Sequence, residues 1–363
     1  MRFHELQKWQ LRRLISIWLF IVIIGGGFIF ATSSYLYEDK KNDPIYYKNI
    51  YTPSKETVRQ IDSRSKDATP VLVGTYLENF REFNIKANNY RVVFLTWFKW
   101  KDNDELDMHG NFRIFKGAVN KMDTVKDIVT DEGIHYQLFR CDVTVNKSFW
   151  TRRFPLESHQ LGLYLESTLP IEQVVFQPDM ENSAYNTGMS ISGYDLTKVD
   201  HATTAYQYPT TNSDPELKEA IMTSEFVTAI ELNRSSWGVY LKCIIALFGT
   251  ITWVLLVLYL NTYHRIDPLA MIPAALFGTV SNIMVAANLL PDALDTGLIE
   301  FINILGVMTI IAVALVVITI NRIRSKYEDR LFAKFFGRIM FFTILALVII
   351  GFIALPCSSY IFH

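Results

Sequence analysis

Cysteine is scarce in this chain. Only Cys141, Cys243 and Cys357 occur among 363 residues, too few and too scattered for the paired framework of a small secreted scaffold or for a clustered zinc site. His109, His135, His159, His201 and His264 likewise stand without metal-ligand spacing. No G-x-S-x-G, P-loop or H-E-x-x-H motif occurs, so nothing points to an enzyme or to a cofactor. The net charge is −1, and no basic stripe exists outside the flanks of the apolar runs. That excludes the concentrated cationic face on which nucleic-acid binding depends.

What the chain has is apolar residues, 50% of the total with 14% aromatic, and they are strongly segregated. Crossing about 30 Å of hydrocarbon takes roughly 20 helical residues. Runs of that length occur near 14–31, 237–260, 269–290, 298–320 and 336–355. They predict one N-terminal span, then a stretch of ordinary polarity, then four spans with short connections. Arg2, Lys8, Arg12 and Arg13 precede the first run, Arg265 lies between the second and third, and Arg322, Arg324, Lys326, Arg330, Lys334 and Arg338 fill the last connection. The loop "PDALDTG" has no basic residue, so the positive-inside rule puts the N-terminus in the cytosol and the large polar domain outside. The first run, "LISIWLFIVIIGGGFIFATSS", is either an uncleaved anchor or a signal peptide with Ala31 and Ser33 at the cleavage site. Both fates leave the large domain on the same side.

That domain reads as β. "PVLVGTYLENF" (70–80), "YRVVFLTWFKW" (90–100), "IHYQLFRCDVTV" (134–145), "HQLGLYLES" (159–167) and "EFVTAIEL" (225–232) are rich in β-branched and aromatic residues, with period-two stretches between polar turns. An antiparallel, immunoglobulin-like sandwich of about ten strands would bury such faces. The charged segment 34–69 differs, and Ser54 followed by Glu56, Val58 and Ile61 predicts a short capped helix. The expected organisation is 1–33 N-terminus and transmembrane anchor, 34–69 polar lead-in, 70–235 β-sandwich domain and 236–363 four-helix transmembrane domain.

The stretch "RFPLESHQLGLYLE", late in a β domain that precedes four apolar spans, resembles the signature loop of the pentameric ligand-gated ion channel (Cys-loop receptor) superfamily. That loop runs Phe-Pro-x-Asp-x-Gln between two cysteines. Phe154, Pro155 and Glu157 fill the motif, while Lys147 and Leu161 occupy the cysteine positions, as in prokaryotic members. Trp100 and Asp102 resemble the family's W-x-D. Arg234 in "LNRSSWGVY" resembles the arginine before the first bundle helix, and "SNIMVAANLLPDALDTGLIEFINILG" resembles the end of the pore helix and the loop after it. The resemblance covers about 70–358. Two departures stand out: Ala246 replaces the usual proline of the first bundle helix, and Lys86 occupies a position where a carboxylate is common.

The resemblance implies a homopentameric ligand-gated channel of a bacterial inner membrane, with its sandwich and C-terminus in the periplasm and with lipid and inorganic ions as partners. It implies coupling through Phe154, Pro155, Glu157, Arg234, Pro291 and Asp292. It also implies an inter-subunit site for a small ligand, of the aromatic kind suited to amines. Tyr206, Tyr208 and Glu166 would supply one side of that site, and Phe94 or Trp97 the other. The third run would line the pore. One register turns Ala270, Ala274, Phe277, Ser281, Met284 and Asn288 inward, and this face is preferred because Ser281 and Asn288 then meet water. The other turns Leu269, Pro273, Leu276, Val280 and Ile283 inward. Either makes a greasy constriction that gates by dewetting. Asp267 would form a ring favouring cations, opposed by Arg265. The rival expectation, from a different class, is a non-conducting membrane sensor that keeps the β domain for binding a ligand or partner.

Overall fold

A computed structural model describes residues 6–211, 220–264, 271–290 and 296–360, apart from the side chains of 285 and 286. The chain divides into two units. One is made of strands and comprises Asp43–Phe149 and Ser158–Ser236; the other is helical and comprises Met1–Asn42, Trp150–Glu157 and Trp237–His363. The backbone therefore passes between units four times, at 42/43, 149/150, 157/158 and 236/237. Residues 150–157 lie with the helices although both flanking strands belong to the other unit. Composition alone does not reveal that division.

In the strand unit, α2 (Asp43–Tyr51) and α3 (Lys55–Arg64) precede ten strands. Ser54 caps α3, its side chain accepting the Thr57 amide. The segment expected as a polar lead-in is thus largely helical. The strands are β1 (Thr69–Asn84), β2 (Asn89–Lys101), β3 (Phe112–Ile114), β4 (Gly117–Val129), β5 (Ile134–Asn146), β6 (Ser158–Pro170), β7 (Val174–Pro178), β8 (Ala184–Tyr185), β9 (Tyr194–Gln207) and β10 (Met222–Arg234). They form a six-stranded sheet in the order β4-β5-β2-β1-β7, with β8 also on β1, and a four-stranded sheet in the order β3-β6-β10-β9. Strand β1 pairs parallel with β7 and β8, so the larger sheet is mixed; the smaller is antiparallel throughout.

Period-two alternation decides which side chains enter the core. From β2 these are Tyr90, Val92, Phe94, Phe98 and Trp100; from β6, Leu161, Leu163 and Leu165; from β10, Phe226, Ile230 and Leu232. Both sheets feed this one apolar cluster, which fixes the opposite faces as the surfaces able to carry chemistry. Edge strand β4 is largely exposed and bears Lys121, Asp123, Lys126 and Asp127, charges that oppose further edge pairing.

The helical unit contains α1 (Lys8–Lys41), α4 (Gly238–His264), α5 (Ile272–Leu289), α6 (Leu298–Lys326) and α7 (Arg330–Tyr360). All five are long and apolar enough to cross a membrane, in the places the apolar runs predicted. Helix α1 packs along α7 and touches α6, burying the narrow stripe Leu14, Ile21, Ile29 and Leu36. Trp9 stacks on Tyr327 at the α6–α7 connection, with ring centroids 4.7 Å apart. Helices α4, α5 and α6 are mutually in contact. Gly278 permits a close approach of α5 to α4, since a Cβ there would lie 2.0 Å from Thr250 Oγ1. Asn282 Nδ2 donates to Asn303 Oδ1 across α5 and α6 at 2.7 Å, with both side chains buried. Cys141, Cys243 and Cys357 form no disulfide with one another.

Candidate functional site

The face of the four-stranded sheet that points away from its core carries a row set by register. Arg113 on β3 stands opposite Glu166 on β6, Glu166 opposite Glu225 on β10, and Glu225 opposite Thr204 on β9. Two carboxylates placed directly across a ladder repel one another, and the row answers this unequally. Glu166 is fully enclosed and accepts four hydrogen bonds: from Arg113 Nε at 2.9 Å and Nη2 at 3.0 Å, from Tyr208 Oη at 2.7 Å, and from Thr223 Oγ1 at 2.9 Å. Glu225 is 5% exposed and has no side-chain hydrogen bond to the described residues. Burial, then the Glu166 charge, push its carboxyl up to about 7 against the pull of Arg113.

Aromatic rings surround this row. Tyr206 lies 5.0 Å from Tyr208, edge to face, and 5.4 Å from Phe115. Phe115 meets Tyr164 at 6.3 Å, and the Arg113 guanidinium sits 5.8 Å from the Tyr208 ring centre. Burial and the neighbouring Glu225 push the Tyr164 phenol up to about 12, so it remains a neutral donor at physiological pH. From below, α2 closes the face: Ile50 covers Gly162, where a Cβ would lie 3.0 Å from the Ile50 side chain and closer still to Tyr164. Half-buried rings and a buried carboxyl without a side-chain hydrogen bond among the described residues are groups that an organic cation can engage.

The structure thus brings Tyr206, Tyr208 and Glu166 together. One expectation about this site requires correction. Phe94 is completely buried in the core between the sheets and cannot touch a ligand, because the pleat turns it inward. Both oxygens of Glu166 are engaged by Arg113, Tyr208 and Thr223. Trp97, on the opposite side of β2 from Phe94, lies over Gly74, where a Cβ would come within 2.3 Å of the indole, and donates to Asp179 Oδ2 at 2.9 Å. Burial pushes the Asp179 carboxyl up, but the hydrogen bonds from Trp97 and Asn182 and the Lys99 charge outweigh it and hold it below the usual carboxylate range. Sequence reading missed Glu225, Arg113 and Phe115; the available signal was the outward position of Glu225 in an alternating strand.

In the helical unit, the segment Trp150–Glu157 forms a knuckle that is buried from Arg153 to Glu157. Phe154 is 4% exposed, Leu156 joins the apolar core of the helices, and the Phe154–Pro155 peptide is cis. Leu298, the first residue of α6, donates its amide to the Arg152 carbonyl at 2.7 Å. Gly297 approaches so closely that a Cβ would sit 2.3 Å from that carbonyl oxygen. Glu157, too, is buried here. Arg234, at the end of β10 in the strand unit, lies 4.1 Å over the Tyr194 ring, with Gly193 beneath its guanidinium at φ +80°. Pro291 and Asp292 lie outside the described residues.

Helix α5 buries Ile272, Ala275, Thr279 and Asn282, a stripe at helical spacing. At 3.6 residues per turn, Phe277, Met284 and Asn288 point away from that stripe. Phe277 is 76% and Met284 62% exposed, against 45% for Leu276 and 46% for Ile283. Ala274 and Ser281 are exposed as well. Ala270, Asp267 and Arg265 lie outside the described residues.

No family model matches this chain, and no curated protein matches it significantly.

Proposed function

We propose that this protein is a channel of the pentameric ligand-gated type, in which a small cationic ligand at the strand unit controls a pore lined by α5. The observation that carries the reading is the knuckle: a loop between two strands of one unit is seated among the membrane-length helices, its Arg152 carbonyl bonded to the first turn of α6. A rotation of β5 or β6 then reaches the helix following α5 through this loop and that hydrogen bond. In this reading the strand unit is an immunoglobulin-like sandwich and α4–α7 are the four-helix bundle of each subunit.

The ligand is an organic amine held by Glu225 and the rings of Tyr206, Tyr208 and Phe115. The exposed faces of α5 support closure of five copies around an axis, with Ala274, Phe277, Ser281, Met284 and Asn288 towards the lumen. A ring of Phe277 side chains gates by dewetting, and Asp267 favours cations. Basic residues at one end of the helices, among them Arg12, Arg13, Arg324 and Arg330, support a cytosolic N-terminus and a periplasmic strand unit in a bacterial inner membrane.

Planar-bilayer recording with a series of alkylamines, together with particle symmetry in detergent, tests the reading. Five-fold particles and unitary currents that Phe277→Arg abolishes are expected. Another symmetry, or silence across the series, overturns it and leaves a non-conducting sensor that uses the same amine site.

A further inference from the structure

Two aspartates four residues apart, Asp39 near the end of α1 and Asp43 at the start of α2, are 5% and 4% exposed. They stand on either side of the 42/43 passage. In the helical unit Asp39 Oδ2 accepts from Arg153 Nε at 2.9 Å, Oδ1 accepts from Trp150 Nε1 at 2.7 Å, and Arg152 Nη1 lies 3.7 Å away. Arg153 has no exposed surface, and its Nη1 also donates to the Ser359 carbonyl at the end of α7, at 3.4 Å. The Arg152 guanidinium is layered 4.2 Å from the Trp150 ring and 5.3 Å from that of Tyr35 on α1. In the strand unit Ser158 Oγ donates to Asp43 Oδ2. Asp39 thus binds Trp150 and Arg153 within the knuckle, while Asp43, four residues on, binds Ser158, the first residue after it.

A fully enclosed guanidinium tolerates burial only while its counter-charge is present, and loss of one partner of such a pair is far costlier than loss of both. The seat of residues 150–157 is therefore conditional on Asp39. We propose that Asp39 is a positioning residue for this loop, and that through it α1, the helix additional to the four pore-domain spans, sets the threshold at which ligand binding opens the pore. The threshold role rests on the gating reading above; the seating does not.

The test uses the full chain in nanodiscs, with two readouts: amide hydrogen exchange in the peptide covering 150–157, and the half-maximal concentration of an alkylamine that opens the wild type. Asp39→Asn keeps the shape and removes the charge. Exchange in 150–157 is expected to accelerate about ten- to a hundredfold, with β5 and β6 unchanged and the half-maximal concentration displaced about tenfold. Asp39→Glu is expected to restore most of both. Trp150→Phe deletes the indole bond and leaves a smaller ring beside Arg152; it supplies the test where Asp39→Asn fails to assemble, with a smaller change in the same direction. Unchanged exchange in the variants overturns the seating. Faster exchange with an unmoved half-maximal concentration overturns the threshold role. A wild type silent to every amine removes that role together with the channel reading, while exchange still decides the seat.

Discussion

Helices α1 and α5 are both apolar and membrane-length, and each buries one narrow stripe, yet what they leave uncovered differs. Between Trp18 and Ala31, the exposed positions of α1 are occupied by side chains such as Leu19, Phe20, Ile23, Ile24 and Phe30, without a polar group. The open surface of α5 mixes Phe277 and Met284 with Ser281 and Asn288. Hydrocarbon accepts the first surface and penalises the second. The comparison teaches that open area alone does not say what covers a helix; the polar groups within it do.

The sharpest way to break this contrast is to place a charge on each surface. Ile24→Arg is expected to cost about 3 kcal/mol of insertion and to empty the membrane fraction of assembled protein, whereas Ser281→Arg is expected to assemble. Equal losses would mean that both helices face lipid. In the same spirit, Ser281→Cys and Phe277→Cys should react with a charged, membrane-impermeant thiol reagent that leaves Ile24→Cys untouched.

A second pair with unequal surroundings lies in the strand unit, where Glu166 is saturated with donors and Glu225 is not. The folded-state value of Glu225, about 7, lies above its ordinary 4.5. Its contribution to stability is therefore fully present below pH 4.5 and is lost as pH rises through 7. The loss amounts to at most about 3 kcal/mol. Thermal unfolding of the detergent-solubilised protein should move to lower temperature between pH 5.5 and 8.5, and Glu225→Gln should flatten that slope. Amine binding should change in the opposite sense, strengthening as Glu225 ionises.

Smaller effects separate the glycines. A Cβ at Gly278 meets Thr250 at 2.0 Å, while one at Gly26 meets nothing within 4 Å. Gly278→Ala is expected to destabilise the helical unit by about 1–2 kcal/mol. Gly26→Ala, which gains helix propensity, should be neutral or stabilising by up to about 1 kcal/mol. Melting temperatures of the two variants check the sign. Last, Ser54→Ala should cost about 1 kcal/mol of α3, seen as faster exchange at Thr57.

Much of this architecture was legible beforehand. Apolar runs announced the five helices because hydrocarbon thickness leaves little freedom of length, and the strands of the core announced themselves through β-branched and aromatic alternation. Ser54 was readable because its cap is local. Asp39 and Asp43 were not: in the string "YEDKKNDP" a buried acid looks like a solvated one, and the residues that bury them lie more than a hundred positions away. Phe94 and Trp97 show the same limit at finer scale. They are three positions apart, so the pleat sends one into the core and the other out, and composition cannot say which. Nothing local distinguishes Glu225 from a solvated acid; only register sets it beside Glu166.

The fourfold passage of the backbone between units has a practical consequence for anyone wishing to separate them. A soluble fragment cut at residues 43 and 236 retains Trp150–Glu157, and so displays Phe154 and Leu156 without the helices that sheltered them. Grafting the helical unit onto a foreign receptor likewise means transplanting that octapeptide and the end of α1 as well, so a working chimera needs four junctions instead of one.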